Sequence, residues 1–478
     1  LVQYIQQHFA DKFNDFVEGD IAMMLMENFA FIGDTLSFKT DQTANEIFID
    51  TVTEIDNAFR LCKLVGFQPL PPIASSSMWT AAINNVLAID CVIPGGIEVN
   101  VSSQGTPMTI ELFPADSEGN PVFDQDIIIS AGNLVNSNII GLEGRTVSDQ
   151  VQGTGIPAQT YQTALSPVIY DSVSVSVDGV QWNRVDYFTD SQPRREYMVE
   201  FDSNWNAYVI FGNNRAGLVP SKGSQIVITY RQGGGVQGNI VTGSVTSQRT
   251  VNITGFDFSV PVVFRNYTPG RYGYNGDTIE DIRRKLPAYL RTQGRCVTGT
   301  DYKTTADQFA TPYQGQIGKS TAVLRNYGCA ANIIDLYILA SDGSGGLTEA
   351  SDPLKIALQN QIDSLKMMTD HVCIRDGIIV LADITIDLSL NKLYRKFQDD
   401  ISVRVNRRVN QFFSLNNWEY GQTLKDTDLV KVLSDVTEIE SMDITFTTND
   451  PDNSGQIVTS RFYEIIRPDA LTINFVYQ

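Results

Sequence analysis

Histidine is almost missing from this chain: His8 and His371 are the only two in 478 residues. Few groups therefore titrate near neutral pH without help from their surroundings, and neither histidine sits in a nucleophile motif. His371, beside Cys373, and His8, on an early helix, both read as structural residues. The five cysteines, Cys62, Cys91, Cys296, Cys329 and Cys373, are odd in number and widely spaced. That pattern fits reduced thiols better than a disulfide framework, and without Cys-x-x-Cys or a Cys/His cluster no structural zinc is expected. Positive charge is also scarce, with 35 basic against 55 acidic residues and a formal net charge of −20. Such a balance opposes phosphate binding, so no nucleic-acid partner is expected. No apolar run approaches the roughly 20 residues that span a bilayer, and LVQYIQQHFADKFNDF at the start lacks the basic and apolar parts of a signal. A soluble chain without membrane insertion is expected, and a first residue of Leu1 suggests that residues precede it.

Several motifs come close to ligand sites and fall short. Gly233, Gly235 and Gly238 have the G-x-G-x-x-G spacing, but Ile240 to Val245 reads as strand where a dinucleotide fingerprint needs a helix. Gly318-Lys319-Ser320 resembles the end of a phosphate loop, yet Tyr313 stands where its first glycine belongs. Asp450, Asp452, Ser454 and Gly455 imitate the start of a calcium loop, with Arg461 in place of the bidentate glutamate. The basic run from Lys392 to Arg408 includes Asp399 and Asp400, and Phe397 falls on the apolar stripe of its helix, which leaves Tyr394 alone as a stacking surface. A solvated or partner-facing helix is expected there. No catalytic residue, cofactor or metal is predicted.

What is present is shape-forming sequence, and it predicts a multidomain α+β chain. Near the start, Asp20 is placed to cap a helix with Ile21, Met24, Leu25, Phe29 and Ile32 at helical spacing. Met23, Met26, Ala30 and Phe31 make its other side apolar too, so the helix must be covered nearly all round. A second helix carries Ile47, Ile55, Ala58, Phe59 and Cys62 on one stripe and stops at Gly66. Either an ordinary helical core or a bundle between subunits would account for this region, residues 1–72. From 73 to 152 and again from 240 to 276 the pattern is of short strands and turns, a β-rich platform. Residues 153–239 read as an inserted β-sandwich-like module. In it Val173, Val175 and Val177 alternate with polar residues, Asp178-Gly179 makes a hairpin turn, and Val180 to Val185 returns with Trp182 as core anchor. Residues 277–345 read as an α/β unit opened by a capping box of Asp277 and Glu280, with a kink or restart at Pro287. Residues 346–478 read as a second α+β unit. It has a helix after Asp352-Pro353, a hairpin at Asp376-Gly377, the alternating strand Ile384 to Leu390, and a helix with Phe397, Ile401, Val405, Val409 and Phe412 on one stripe.

Three blocks in one order resemble the baseplate J-like family, the wedge subunits of contractile phage tails. The first runs from Asp34 to Pro71 and the second from Val173 to Asn239, with Trp182, Phe211, Gly212, Gly217, Pro220, Gly223, Tyr230, Arg231, Gly235, Gly238 and Asn239 at matching positions. The third is DTIEDIRRKLPAYLRTQGRCVTGTDY, with Arg283, Pro287, Arg291, Arg295, Val297, Thr298, Asp301 and Tyr302. The resemblance implies a structural protein of the virion, assembled in the host cytoplasm, that links wedges into a ring around a central hub and passes on the change that triggers sheath contraction. It implies four partners: a second copy of the chain, a different wedge subunit, the hub and sheath-proximal baseplate proteins. Dimer contacts would fall in the C-terminal unit. The expected partner surface comprises Ile21, Met24, Leu25, Phe29, Ile32, Ile55 and Phe59, with Arg404 and Arg408 farther on. The alternatives are a glycan-binding or glycan-cleaving tail component, which would show paired carboxylates and aromatic platforms in an exposed cleft, and the equivalent subunit of a bacterial tail-like particle.

Overall fold

The computed structural model describes residues 2–8, 21–103, 106–188, 192–252, 258–326, 332–343, 345–415 and 417–477. The expected Asp20 cap, the end of a predicted strand at Ile253 and the Cys329 thiol lie outside these residues. The chain is a multidomain α+β protein that divides into two compact units, Leu1–Pro69 with Asp277–Leu286, and Leu70–Gly276 with Pro287–Gln478.

The first unit is helical. Helices α1 (Val2–His8), α2 (Ile21–Asn45) and α3 (Ile55–Leu64) are joined by the opening turns of α4 (Ile279–Thr292). Ala58, Phe59 and Cys62 are the buried stripe of α3, at the i, i+1, i+4 spacing of a helix with one dry side. Ile47 does not join that stripe. It lies in the turns between α2 and α3 and is exposed, because α2 ends at Asn45 and α3 begins only at Ile55. Glu46 organises that connection, accepting hydrogen bonds from Thr53 N (2.9 Å), Glu54 N (3.2 Å) and Asn57 Nδ2 (3.0 Å). It thereby satisfies amides at the start of α3 that have no intrahelical partner. The capping box of α4 is shifted one residue from expectation. Thr278 and Asp281 make it, while Asp277 is wholly buried against Lys285 Nζ at 2.5 Å. Helix α4 continues through Pro287 rather than restarting there.

In the second unit, a six-stranded antiparallel platform runs in the order 246–252, 259–266, 76–83, 135–143, 106–114 and 97–103. Its strands come from both sides of the inserted module: Trp79 pairs with Asn266 on one side and with Ile139 on the other. Trp79, Leu112, Ile139, Val262 and Phe264 are fully buried in its core. The expected strand from Ile240 to Val245 does not form. Residues 236–238 make a 3-10 turn, and the strand starts at Thr246.

The inserted module is two four-stranded sheets face to face. It begins earlier than expected, because Arg145–Gln152 pairs along its whole length with Gln225–Gln232 of the module rather than with the platform. The Asp178-Gly179 turn has both residues at positive φ (52° and 79°), the two-residue geometry that matches strand twist. The return strand is split. Val180–Gln181 stays in the first sheet, Asn183–Arg184 joins the second, and Trp182 between them enters the core, its ring edge-on to Phe211 at 5.3 Å.

The next layer is a sheet of Gly315–Asn326, Asn332–Ser341 and Asp370–Asp376, covered by α5 (Gly299–Asp307) and α6 (Asp352–Leu365). Asp370–Asp376 runs parallel to Asn332–Ser341, so this α/β unit extends past the expected boundary at 345. Asp376-Gly377 is consequently no hairpin. The strand after it, Ile378–Leu390, belongs to another sheet, between Ile439–Thr448 and Glu464–Tyr477. Ile384, Ile386, Leu388 and Leu390 face a core completed by α7 (Gln398–Phe412) and α8 (Asp426–Leu433), through Ile401, Val405, Val409, Leu429 and Leu433. Phe397, placed on that stripe by spacing, precedes α7 and is exposed. At the other end of α7, Phe412 is half-buried and Phe413 takes the buried position expected of it.

Candidate assembly surface

Helix α2 carries the most conspicuous surface of the first unit. Phe29 and Phe31, 68% and 71% exposed, point to nearly opposite sides of a helix with 3.6 residues per turn. Met24, Leu25, Ile32, Leu36 and Phe38 are exposed as well, so no single apolar stripe can be buried by one neighbour. An exposed apolar patch of this kind is uncommon on a folded monomer. Met24, Leu25, Phe29 and Ile32 are thus accessible as expected, whereas the side chain of Ile21 lies outside the described residues. Phe59 is a correction: it is 5% exposed and serves the core of its own chain, with Ile55 half-buried beside it.

Arg404 and Arg408 are also engaged within the chain. Arg404 pairs with Glu438 (2.6 Å) and Asp400 (3.2 Å), and Arg408 with Asp435 (3.4 Å), which ties α7 to the connection after α8.

The near-motifs resolve into structural parts. Gly233, Gly234 and Gly235 all have positive φ and lead into a three-residue 3-10 turn, too short for the helix that a pyrophosphate requires. Lys319 and Ser320 lie on a strand. Lys319 Nζ is 2.6 Å from Glu419 Oε1, and Ser320 Oγ is 2.7 Å from Asp307 Oδ1. Burial raises the Asp307 carboxyl to about 6 against the lowering by Ser320 and the two lysines. Asp450 accepts from Asp452 N in a tight turn, and no group of three metal-binding side chains occurs among the described residues. An open cleft of about 470 Å³ does adjoin that turn, lined by Asp450, Asp452, Arg461 and Glu464 among others, but by no aromatic side chain. Trp182 is buried and offers no platform for a sugar.

Spacing gave no sign of a buried charged pair that ties two parts of the second unit together. Glu111 and Arg231, 4% and 3% exposed, form a salt bridge between the platform and the inserted module. Arg231 also donates to the carbonyls of Leu142, Glu143 and Gly144, and Glu111 accepts from Thr146 N at 2.6 Å. The partners are 120 residues apart, and Glu111 stands among the apolar residues Ile110 and Leu112.

Among the described residues, no helix is long and apolar enough to cross a bilayer. Residues 6–64, which contain α2 and α3, match the family described as bacteriophage baseplate protein, N-terminal domain. Over those residues the chain is similar to baseplate N-terminal domains. Among solved structures, the six-fold symmetrised cryo-EM structure of the anti-feeding prophage baseplate aligns over 98% of this chain and 90% of its own, with 10% identity and a TM-score of 0.38. No curated protein matches the sequence.

Proposed function

We propose that this chain is a structural wedge subunit of a contractile-tail baseplate, working by assembly and movement rather than by transforming a substrate. The observation that carries this reading is α2, a 25-residue helix with bulky apolar side chains exposed on all sides, inside the segment that matches baseplate N-terminal domains. A helix so exposed gains stability only when other helices surround it. Its partners would be a second copy, a different wedge subunit, and hub and sheath-proximal proteins, in a virion tail assembled in the host cytoplasm. The β-rich platform, the inserted sandwich and the two C-terminal units each keep a core of their own, so they can shift against one another without unfolding while the ring changes diameter.

Co-expression with the proteins encoded beside it tests the reading. A stable complex that is lost in Phe29→Asp/Phe31→Asp, with unchanged circular dichroism, is the expected result. A chain that stays monomeric with every neighbouring gene product would refute it.

A further inference from the structure

We infer that the open face of the sheet formed by Gly315–Asn326, Asn332–Ser341 and Asp370–Asp376 is a docking site for an acidic segment of a different protein, held by the guanidinium groups of Arg325 and Arg375. This goes beyond the wedge reading and does not depend on it.

Alternate residues of a strand point to opposite sides of its sheet. Ile334, Leu336, Ile338 and Val372 point to one side, where α5 and α6 close a core over them. The other side is covered only in part. Leu339 packs into the C-terminal core, and the Tyr337 ring stacks on Tyr463 at 5.6 Å and meets Phe462 edge-on at 5.8 Å. From there towards Ile333 the face is open. His371 and Arg375 are exposed, and Val323, Ile333 and Cys373 are only half-buried.

Asp335 stands in the middle of this open stretch, opposite Val323 on one neighbouring strand and Cys373 on the other, and is nevertheless 3% exposed. Two arginines cover it. Arg325 donates to Asp335 Oδ1 through Nη2 at 2.7 Å and Arg375 through Nε at 2.9 Å, while their own side chains stay 42% and 48% exposed. Burial would raise the Asp335 carboxyl, but the hydrogen bonds and charges of Arg375 and Arg325 outweigh it and hold the group below its ordinary value. The ionised carboxylate thus fixes both guanidiniums from below. Among the described residues, nothing accepts from Arg325 Nη1 or from either terminal nitrogen of Arg375. Such planar N–H groups, already held in place, match the two oxygens of an incoming carboxylate.

The occupant follows from charge, composition and symmetry. Two guanidiniums on one carboxylate leave a positive charge over, on a chain whose net charge is −20, so the complement is acidic. The open stretch and its border carry Arg, Tyr and Phe but no Lys, the bias of protein interfaces. A phosphate backbone or an anionic membrane is held by a longer run of cations. About a twofold axis through this face the arginines of two copies would confront each other, which argues against a second copy as the occupant.

Cys373 reports on the site, because its thiol lies beside Asp335 and is half-buried, whereas Cys62, Cys91 and Cys296 are buried. The full chain is alkylated with iodoacetamide at low ionic strength, and the rate at Cys373 is read by peptide mass spectrometry. Saturating poly-L-glutamate should slow it about fivefold or more, and a neutral Gly-Ser peptide should leave it unchanged. Arg325→Gln/Asp335→Asn/Arg375→Gln removes both cations without stranding a buried charge, and should abolish the protection with thermal melting as the check on folding. Arg375→Gln alone, in which Arg325 still pairs Asp335, should lose most of it. Absence of protection by poly-L-glutamate overturns the proposal, and so does protection that survives these substitutions. Heparin or single-stranded DNA protecting Cys373 at lower concentration than poly-L-glutamate overturns it as well, by assigning the face to sulfate or phosphate. Association through α2 is read separately with Phe29→Asp/Phe31→Asp, so failure here leaves the wedge reading standing.

Discussion

Glu143 accepts a hydrogen bond at 2.6 Å from the amide of Gly234, where the chain enters and leaves the inserted sandwich. The two connections pass so closely that a Cβ on Gly233 would lie 2.7 Å from the Cα of Gly144, and both glycines have positive φ. Glu143 and its neighbours therefore set how the sandwich is mounted on the platform.

Burial raises the Glu143 carboxyl to about 7, only partly offset by the Gly234 amide and the Arg231 guanidinium. The folded state holds a proton that the unfolded chain releases near the ordinary value of 4.5. Stability from this group is fully present below that value and is lost as pH rises through about 7. Glu143→Gln, always neutral, should remove this part of the pH dependence and be the more stable form at pH 8, as read by thermal melting at a series of pH values.

Removing one partner of the Arg231–Glu111 bridge strands a buried charge, at a cost of about 3 to 5 kcal/mol. Arg231→Met alone should destabilise by that order, and Arg231→Met with Glu111→Leu by clearly less. Urea denaturation of the two single variants and the double variant measures the coupling.

Glu46 behaves oppositely to Glu143. Hydrogen bonds, first from the Thr53 hydroxyl, then from Asn57 and the Thr53 amide, hold its carboxyl down at about 2. Its contribution is present above the ordinary value of 4.5 and disappears as pH falls through about 2. Glu46→Gln should loosen the start of α3 at pH 7, visible as faster amide exchange at Thr53 and Glu54, and should make little difference in strong acid.

Trp182→Ala should cost about 3 to 5 kcal/mol, the usual price of a large aromatic lost from a core. The unfolding of the sandwich, followed by proteolysis between Arg145 and Gln232, should shift while the platform sheet persists.

Period and turn chemistry made much of the fold legible. Ile384 to Leu390 reads as a strand with one dry face because its side chains alternate, and all four inward residues are buried. Asp178-Gly179 and the Trp182 core were readable for the same local reason. Phe397 was misread because spacing does not say where a helix begins, and Asp376-Gly377 because a turn signature does not say whether the two flanking strands share a sheet. For the surface, the all-round apolar pattern of Met24 to Ile32 announced a helix that needs cover on every side, but it could not show whether its own chain supplies that cover, that Phe59 is used internally or that Arg404 is held by Glu438.

By itself, the sequence determined which residues are apolar at which period, and hence the helices and most of the strands. Tertiary structure alone decided that Glu111 meets Arg231, that Glu143 closes the joint with Gly234, and that Leu471 to Tyr477 ends as a bare border. These relationships join residues from about 90 to 120 positions apart, or depend on which strand is last in a sheet, and a local pattern carries no record of either.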